Sequence, residues 1–177
     1  RACEFGYRDS IFKRRLKNKV VICSVVFKLS KTPELRLDYG GIREELGKRK
    51  ITDPTIRDIS EIVASIRRSK LPDPEILGNA GSFFKNPYVD EKRLEALLRS
   101  FPTIRFFKEG DLYKISAAWL IEQAGWKGYR NNDAGCYEKQ ALILVNYGNA
   151  KGGDILALSE KIRSSVFGKF GVNLEME

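Results

Sequence analysis

The sequence predicts an α+β fold, and two observations predict it. Short apolar runs of strand length, Val20–Leu29 and Ala141–Asn146, are separated by stretches with helical apolar spacing. Each of those stretches follows an aspartate that can cap a helix: Asp53, Asp90 and Asp154. At 177 residues, 42% hydrophobic and 31% charged, the chain has the composition of a folded protein with a real core.

The elements follow in order. Val20–Leu29 (VVICSVVFKL) is rich in β-branched residues and reads as a largely buried strand. Glu34–Asp38 alternates, as a short strand would. Tyr39-Gly40-Gly41 is then a loop freed by two glycines. With Asp53 as cap and Pro54 at the first helical position, Ile56, Ile59, Val63 and Ile66 mark an amphipathic helix over about 54–69. Arg67-Arg68-Ser69-Lys70 suits its negative end. Leu71-Pro72-Asp73-Pro74 cannot continue the helix and marks a domain boundary.

Past the boundary, Gly78–Pro87 (GNAGSFFKNP) reads as a glycine-built turn. Asp90 caps a helix with Leu94, Leu97, Leu98 and Phe101 on one face. Ile104–Phe107 and Leu112–Ile115 are short strands around a turn at Glu109-Gly110-Asp111. Ala117–Ala124 is a short helix closed by Gly125, and Ala141–Asn146 a buried strand. Asp154 caps a last helix, with Ile155, Leu158, Ile162 and Val166 inward, that ends near Gly168 or Gly171. Asn173–Glu177 reads as the start of a strand that is cut off.

Charge and composition narrow the chemistry. The net charge of +9 lies wholly in residues 1–70, with 18 Lys+Arg against 9 Asp+Glu; residues 71–177 hold 14 of each. Such a block can meet nucleic acid, an anionic surface or a phosphorylated small molecule, or be a solvated basic face. With no histidine, Ser-His and Cys-His dyads and histidine metal ligands are excluded. Cys3, Cys23 and Cys136 make no CxxC pair and read as reduced thiols, not as a zinc site or a disulfide framework. No apolar run approaches the roughly 20 residues of a membrane helix. The chain opens on Arg1 without a signal-peptide pattern; the expectation is a missing start and no secretion.

The glycine-rich segment is the most informative. It is not a P-loop, since no Gly-Lys-Ser/Thr stands at the right spacing. Nor is it a nucleophile elbow, because Phe84 replaces the second glycine. Ser82 there can give a proton or a hydrogen bond, or it can simply cap the turn.

Tyr7-Arg8-Asp9-Ser10-Ile11-Phe12-Lys13, Lys70-Leu71-Pro72-Asp73-Pro74, Gly78–Pro87 and Gln140-Ala141-Leu142, in that order, resemble the UDP-N-acetylenolpyruvoylglucosamine reductases (MurB), flavoenzymes of bacterial peptidoglycan synthesis. The likeness covers essentially the whole chain. It implies that FAD reduced by NADPH passes hydride to C3 of UDP-N-acetylglucosamine enolpyruvate, that an acid protonates C2, and that the product is UDP-N-acetylmuramate. Ser82 stands where the family carries that acid. The Tyr7-Arg8 motif assigns the carboxylate-binding arginine to Arg8, and the register of Leu174-Glu175-Met176-Glu177 assigns the family glutamate to Glu177. The roles are chemically sound. A serine is a poor acid, but the ester-like enediolate is a strong base, so placement matters most. A guanidinium meets a carboxylate with two parallel donors.

The resemblance also places Tyr39 on the loop that closes over the UDP part, which marks the longer of two family types. It makes Lys70 a pyrophosphate ligand and Asn86 and Gln140 further nucleotide contacts. Arg67 is assigned to flavin or substrate phosphate, although Arg67 and Lys70 also suit plain helix-terminal cations and Gln140 a strand edge. Phe106-Phe107 stands where some members have a substrate-contacting tyrosine and cannot donate its hydrogen bond.

The implied organisation is 1–71, the second half of a flavin domain with the tyrosine loop; 72–172, a complete substrate domain; and 173–177, the start of a return strand. The main FAD-binding region of the family is absent from this chain, so residues 1–70 should expose apolar surface. The resemblance implies a cytoplasmic bacterial enzyme, with no membrane insertion and no nucleic-acid partner, inactive without its other half. Two other readings compete: a substrate-binding or scaffold domain that has lost the chemistry, and a basic nucleic-acid module, for which the aromatics Tyr7, Phe12 and Phe27 are sparse.

Overall fold

The structure, a computed structural model, describes residues 3–38 and 40–177. The chain divides into two compact units, 1–66 and 67–177. Each is described by itself.

In the first unit, a short 3-10 turn at Ile11–Lys13 is followed by a long irregular stretch, then α1 (Ile42–Arg49) and the start of α2 (Ile56–Lys70). Ile42 and Leu46 of α1 bury against Ile62 of α2, with Leu37, Ile51, Ile59, Val63 and Ile66 packed around them. The helix expected over 54–69 is present, but its cap is Thr55 instead of Asp53. The Thr55 hydroxyl accepts from the Asp58 N–H at 3.2 Å, and the Asp58 carboxylate accepts from the Thr55 N–H at 2.8 Å. These reciprocal bonds make a capping box; the Thr55 hydroxyl, which donates to the Asp58 carboxylate, and then the Thr55 N–H hold that carboxyl below its ordinary range. α1 was not foreseen; its signal is Glu44 and Glu45 in the first turn and Lys48 and Arg49 in the last.

The strands expected at Val20–Leu29 and Glu34–Asp38 do not form. The first run is irregular and open, with Val26 93% and Val21 87% exposed. A strand needs a neighbour to satisfy its backbone and cover its side chains, and none of the described residues pairs with this run.

The second unit begins at the last turn of α2. It continues through β1 (Gly78–Ser82), β2 (Tyr88–Val89), α3 (Glu91–Ser100), β3 (Phe106–Glu109), β4 (Leu112–Ile115), α4 (Ala117–Gln123), β5 (Arg130–Asn131), β6 (Ala134–Cys136), β7 (Ile143–Asn146) and α5 (Gly152–Phe170). The strands make two antiparallel sheets, ordered β1-β7-β6-β5 and β2-β4-β3. One core joins them: Ile115, Leu120, Ile121, Cys136, Leu144, Ile162 and Val166 have almost no exposure. The architecture is α+β.

Local chemistry explains the element ends. The Asp90 carboxylate accepts from the Arg93 N–H at 2.7 Å and starts α3. α5 is capped at Lys151, with Asp154 inside its first turn accepting from the Lys151 N–H at 2.8 Å; the expectation that Asp154 is itself the cap is corrected. α5 passes through Gly168 and stops at Gly171, whose left-handed φ of 59° suits glycine. The Gly78–Pro87 segment is not a simple turn: its first five residues are β1. Among the described residues, no helix is long and apolar enough to cross a membrane.

Candidate active site around Ser82

Ser82 ends β1 at an irregularity in the sheet. Gly78 pairs with Asn146 and Asn79 with Val145, but the next partner of β7, Ile143, faces Ser82. Two residues on β1, Ala80 and Gly81, thus stand against one on β7, Leu144, which is a β-bulge. Gly81 supplies the left-handed φ of 65° that the bulge requires. The Asn79 side chain ties it down on both sides: Oδ1 accepts from the Gly81 N–H at 3.0 Å, and Nδ2 donates to the Leu77 carbonyl at 3.1 Å. Ser82 is half-buried, and among the described residues its hydroxyl has no hydrogen-bond partner.

Two distant parts of the chain arrive beside it. The Glu177 N–H donates to the Phe83 carbonyl at 3.0 Å, and the Lys85 N–H donates to the Glu175 carbonyl at 2.9 Å. Phe84 and Met176 form the bridge between these bonds, and Lys85 pairs with the Glu175 carboxylate. Further back, the Arg163 guanidinium donates to the Leu174 carbonyl at 3.0 Å. Glu177 is therefore held one residue from Ser82 by a single ladder step, the extent to which the expected terminal strand forms.

Gln140 shapes the turn into β7. Its backbone carbonyl accepts from the Ile143 N–H at 3.1 Å, while Leu142 in that turn accepts from the Phe83 N–H at 2.8 Å. The Asn86 Oδ1 accepts from the Ala117 N–H at 2.9 Å and so fastens the segment to the start of α4. Ser82, Gln140 and Glu177 thus lie at one end of the β1–β7 sheet, with Asn86 four residues further along the segment and anchored to α4.

The remaining predicted residues are placed as follows. Lys70 is exposed on the last turn of α2. Arg67 lines a groove of about 360 Å3 with Arg68, Leu71, Pro72, Asp73 and Pro74. Arg8 belongs to the first unit. There Gly6 and Asp9 exchange backbone hydrogen bonds around a two-residue loop, and Arg8 sits in it with φ 54°. A left-handed conformation costs a non-glycine residue roughly 1 kcal/mol or more. Tyr39 lies outside the described residues.

Several features were not legible from the sequence. Lys85 meets Glu175 through a contact that only the fold creates, and the local Asn79 bonds to Leu77 and Gly81 take on meaning only against β7. The Glu109 carboxylate accepts from Lys114 at 2.7 Å and from the Tyr88 hydroxyl at 2.8 Å, and these bonds, the lysine first, hold its pKa below the ordinary value. A cavity of about 350 Å3 lies between the β5–β6 turn and α5, lined by Asp133, Asn149, Asp154 and Lys161 among others. None of the predicted residues lines it, and its carboxylates already accept from Arg130, the Asn149 N–H and the Lys151 N–H.

Comparison with known proteins places this geometry. Residues 73–177 match the family model described as UDP-N-acetylenolpyruvoylglucosamine reductase, C-terminal domain. Over 99% of its length the chain is 48% identical to the reductase of that name from Flavobacterium johnsoniae and 49% identical to that of Pseudomonas putida, covering 52% of each. It is 50% identical to the one from Xylella fastidiosa, covering 50% of it. The chain thus spans about half the length of these relatives. The segment that carries the Ser82 bulge, the Asn86 anchor and the Glu177 tail lies wholly inside the matched region, and the chain belongs to the UDP-N-acetylenolpyruvoylglucosamine reductase family.

Proposed function

We propose that this chain supplies the proton-donating and substrate-binding part of a UDP-N-acetylenolpyruvoylglucosamine reductase of peptidoglycan synthesis. The observation that carries the reading is the half-buried Ser82 hydroxyl, on a bulge and without a hydrogen-bond partner among the described residues, with the Glu177 and Gln140 backbones held near it. Ser82 gives its proton to C2 of the enolpyruvyl group. Arg8 binds the substrate carboxylate, where its charge is worth most as enolate character grows. Glu177 acts with Arg8 on the same developing charge. Asn86, Gln140, Lys70 and Tyr39 hold the uridine diphosphate.

FAD, reduced by NADPH, would supply the hydride of this reaction in the full-length enzyme. The described residues do not form a site for that flavin: the groove at Arg67 offers guanidinium groups but no aromatic face and no glycine-rich backbone to cradle a pyrophosphate. Arg67 adds a positive charge for a flavin or substrate phosphate; the rest of the flavin site belongs to the length of the relatives that this chain does not span. The reaction is placed in the bacterial cytoplasm.

The test is calorimetric titration of the full-length protein, loaded with FAD, with the enolpyruvyl substrate. Saturable binding, weakened about tenfold or more in Asn86→Ala and in Gln140→Ala, is expected, since each loses a hydrogen bond to a charged or polar ligand. Binding unaffected by both substitutions would remove these residues from the site.

A further inference from the structure

Resting on the reading of Ser82 as the proton donor, we propose that Asn79 is a positioning residue for the reaction, acting through the bulge that aims Ser82. Nothing in the residue itself points to this. Asn79 sits three residues before the serine and is partly buried, with both ends of its amide engaged by backbone.

The argument runs through register. In an antiparallel pair, residues directly opposite share a face of the sheet. Asn79 is opposite Val145 and Ser82 opposite Ile143, so all four share one face. Leu144, between the two β7 residues, points the other way, into the main core that contains α5 residues Leu158, Ile162 and Val166. Without the inserted residue, Gly81 would stand opposite Ile143, and Ser82 would move to the core face. The bulge therefore decides on which side of the sheet the hydroxyl lies.

The bulge conformation is maintained by the Asn79 amide. The Gly81 N–H, turned out of the ladder by its left-handed φ, would lose its partner without Oδ1. The Nδ2 bond to Leu77 fixes the amide so that Oδ1 faces Gly81. Space does not enforce the conformation, because a Cβ on Gly81 would meet nothing within 4 Å. What holds it is the hydrogen-bonded turn built by Asn79.

The test uses full-length protein with FAD and compares Asn79→Ala, Asn79→Asp and Ser82→Ala. Three quantities are followed: NADPH-driven flavin reduction, flavin reoxidation by the enolpyruvyl substrate, and substrate affinity. In Asn79→Ala, reoxidation should slow by about 100-fold, the order expected for a misplaced reacting group, with substrate affinity and flavin reduction within about threefold of wild type. Asn79→Asp keeps an oxygen for Gly81 and should recover most of the rate. Equal loss of affinity and rate in Asn79→Ala, with no recovery in Asn79→Asp, means a merely structural residue and overturns the proposal; so does a wild-type reoxidation rate in Asn79→Ala. Ser82→Ala separates the two claims: if it reoxidises normally the Ser82 reading itself fails, whereas a dead Ser82→Ala beside an unaffected Asn79→Ala removes only the role of Asn79.

Discussion

A hydroxyl is a weak acid, so what Ser82 can do depends on where it is held. Its identity, with those of Asn86 and Gln140, was legible because each lies in a compact block whose local order is distinctive. Its placement was not, because the bulge is defined against β7, some sixty residues away in sequence. The same holds for Asp154 and Asp53: both are acids at helix starts, yet Lys151 and Thr55 occupy the cap positions. A shift of two or three residues in where a helix begins is beyond what capping preference resolves. Cys136 offers a prediction at this scale. It is fully buried, its thiol donates to the Ala141 carbonyl at 3.0 Å, and burial pushes its pKa up to about 12 from an ordinary 9.0. A raised folded-state pKa stabilises the fold fully below the unfolded value and loses that contribution as pH rises toward the folded one. Between pH 9 and about 12 the native protein should therefore lose stability more steeply than Cys136→Ala does. Chemical denaturation across that window checks it; parallel slopes would contradict it.

Helices and strands were unequally readable. Every amphipathic stretch led by a capping residue became a helix, because cap, apolar stripe and stop signal are all local. Strands depend on partners. β4 formed where expected, β7 formed two residues shorter than Ala141–Asn146, and β3 is Phe106–Glu109, shifted two residues from Ile104–Phe107; β6 was missed because Ala-Gly-Cys carries little β-propensity, and Val20–Leu29, the strongest strand signal in the chain, has no ladder at all. β6 shows why its sequence looks weak. A Cβ on Gly135 would lie 2.8 Å from the Tyr129 carbonyl oxygen and 2.7 Å from the Tyr147 ring. Backbone on one side leaves nothing that can yield, so Gly135→Ala should cost about 1–3 kcal/mol. Gly168, exposed inside α5 with nothing within 4 Å, is the contrast: alanine there should stabilise by up to about 1 kcal/mol. Thermal melts of the two variants should move in opposite directions; a Gly135→Ala melt at or above wild type would contradict the packing described.

At the scale of the molecule, charge and exposed apolar surface gather in the same stretch. The net charge of +9 comes from residues 1–70, and that stretch also carries the open run at Val20–Leu29. The chain spans about half the length of the curated relatives it matches, and contiguous apolar surface of this kind is the mark of an interaction face. The central claim, that Ser82 gives the proton, is therefore tested on the full-length protein. The most direct measurement is rapid mixing of full-length Ser82→Ala, its FAD first reduced by NADPH, with the enolpyruvyl substrate. Flavin reduction should match wild type while reoxidation slows by about a thousandfold, within the range general acids contribute, and Ser82→Cys should fall between the two. Reoxidation of Ser82→Ala at the wild-type rate would contradict the claim.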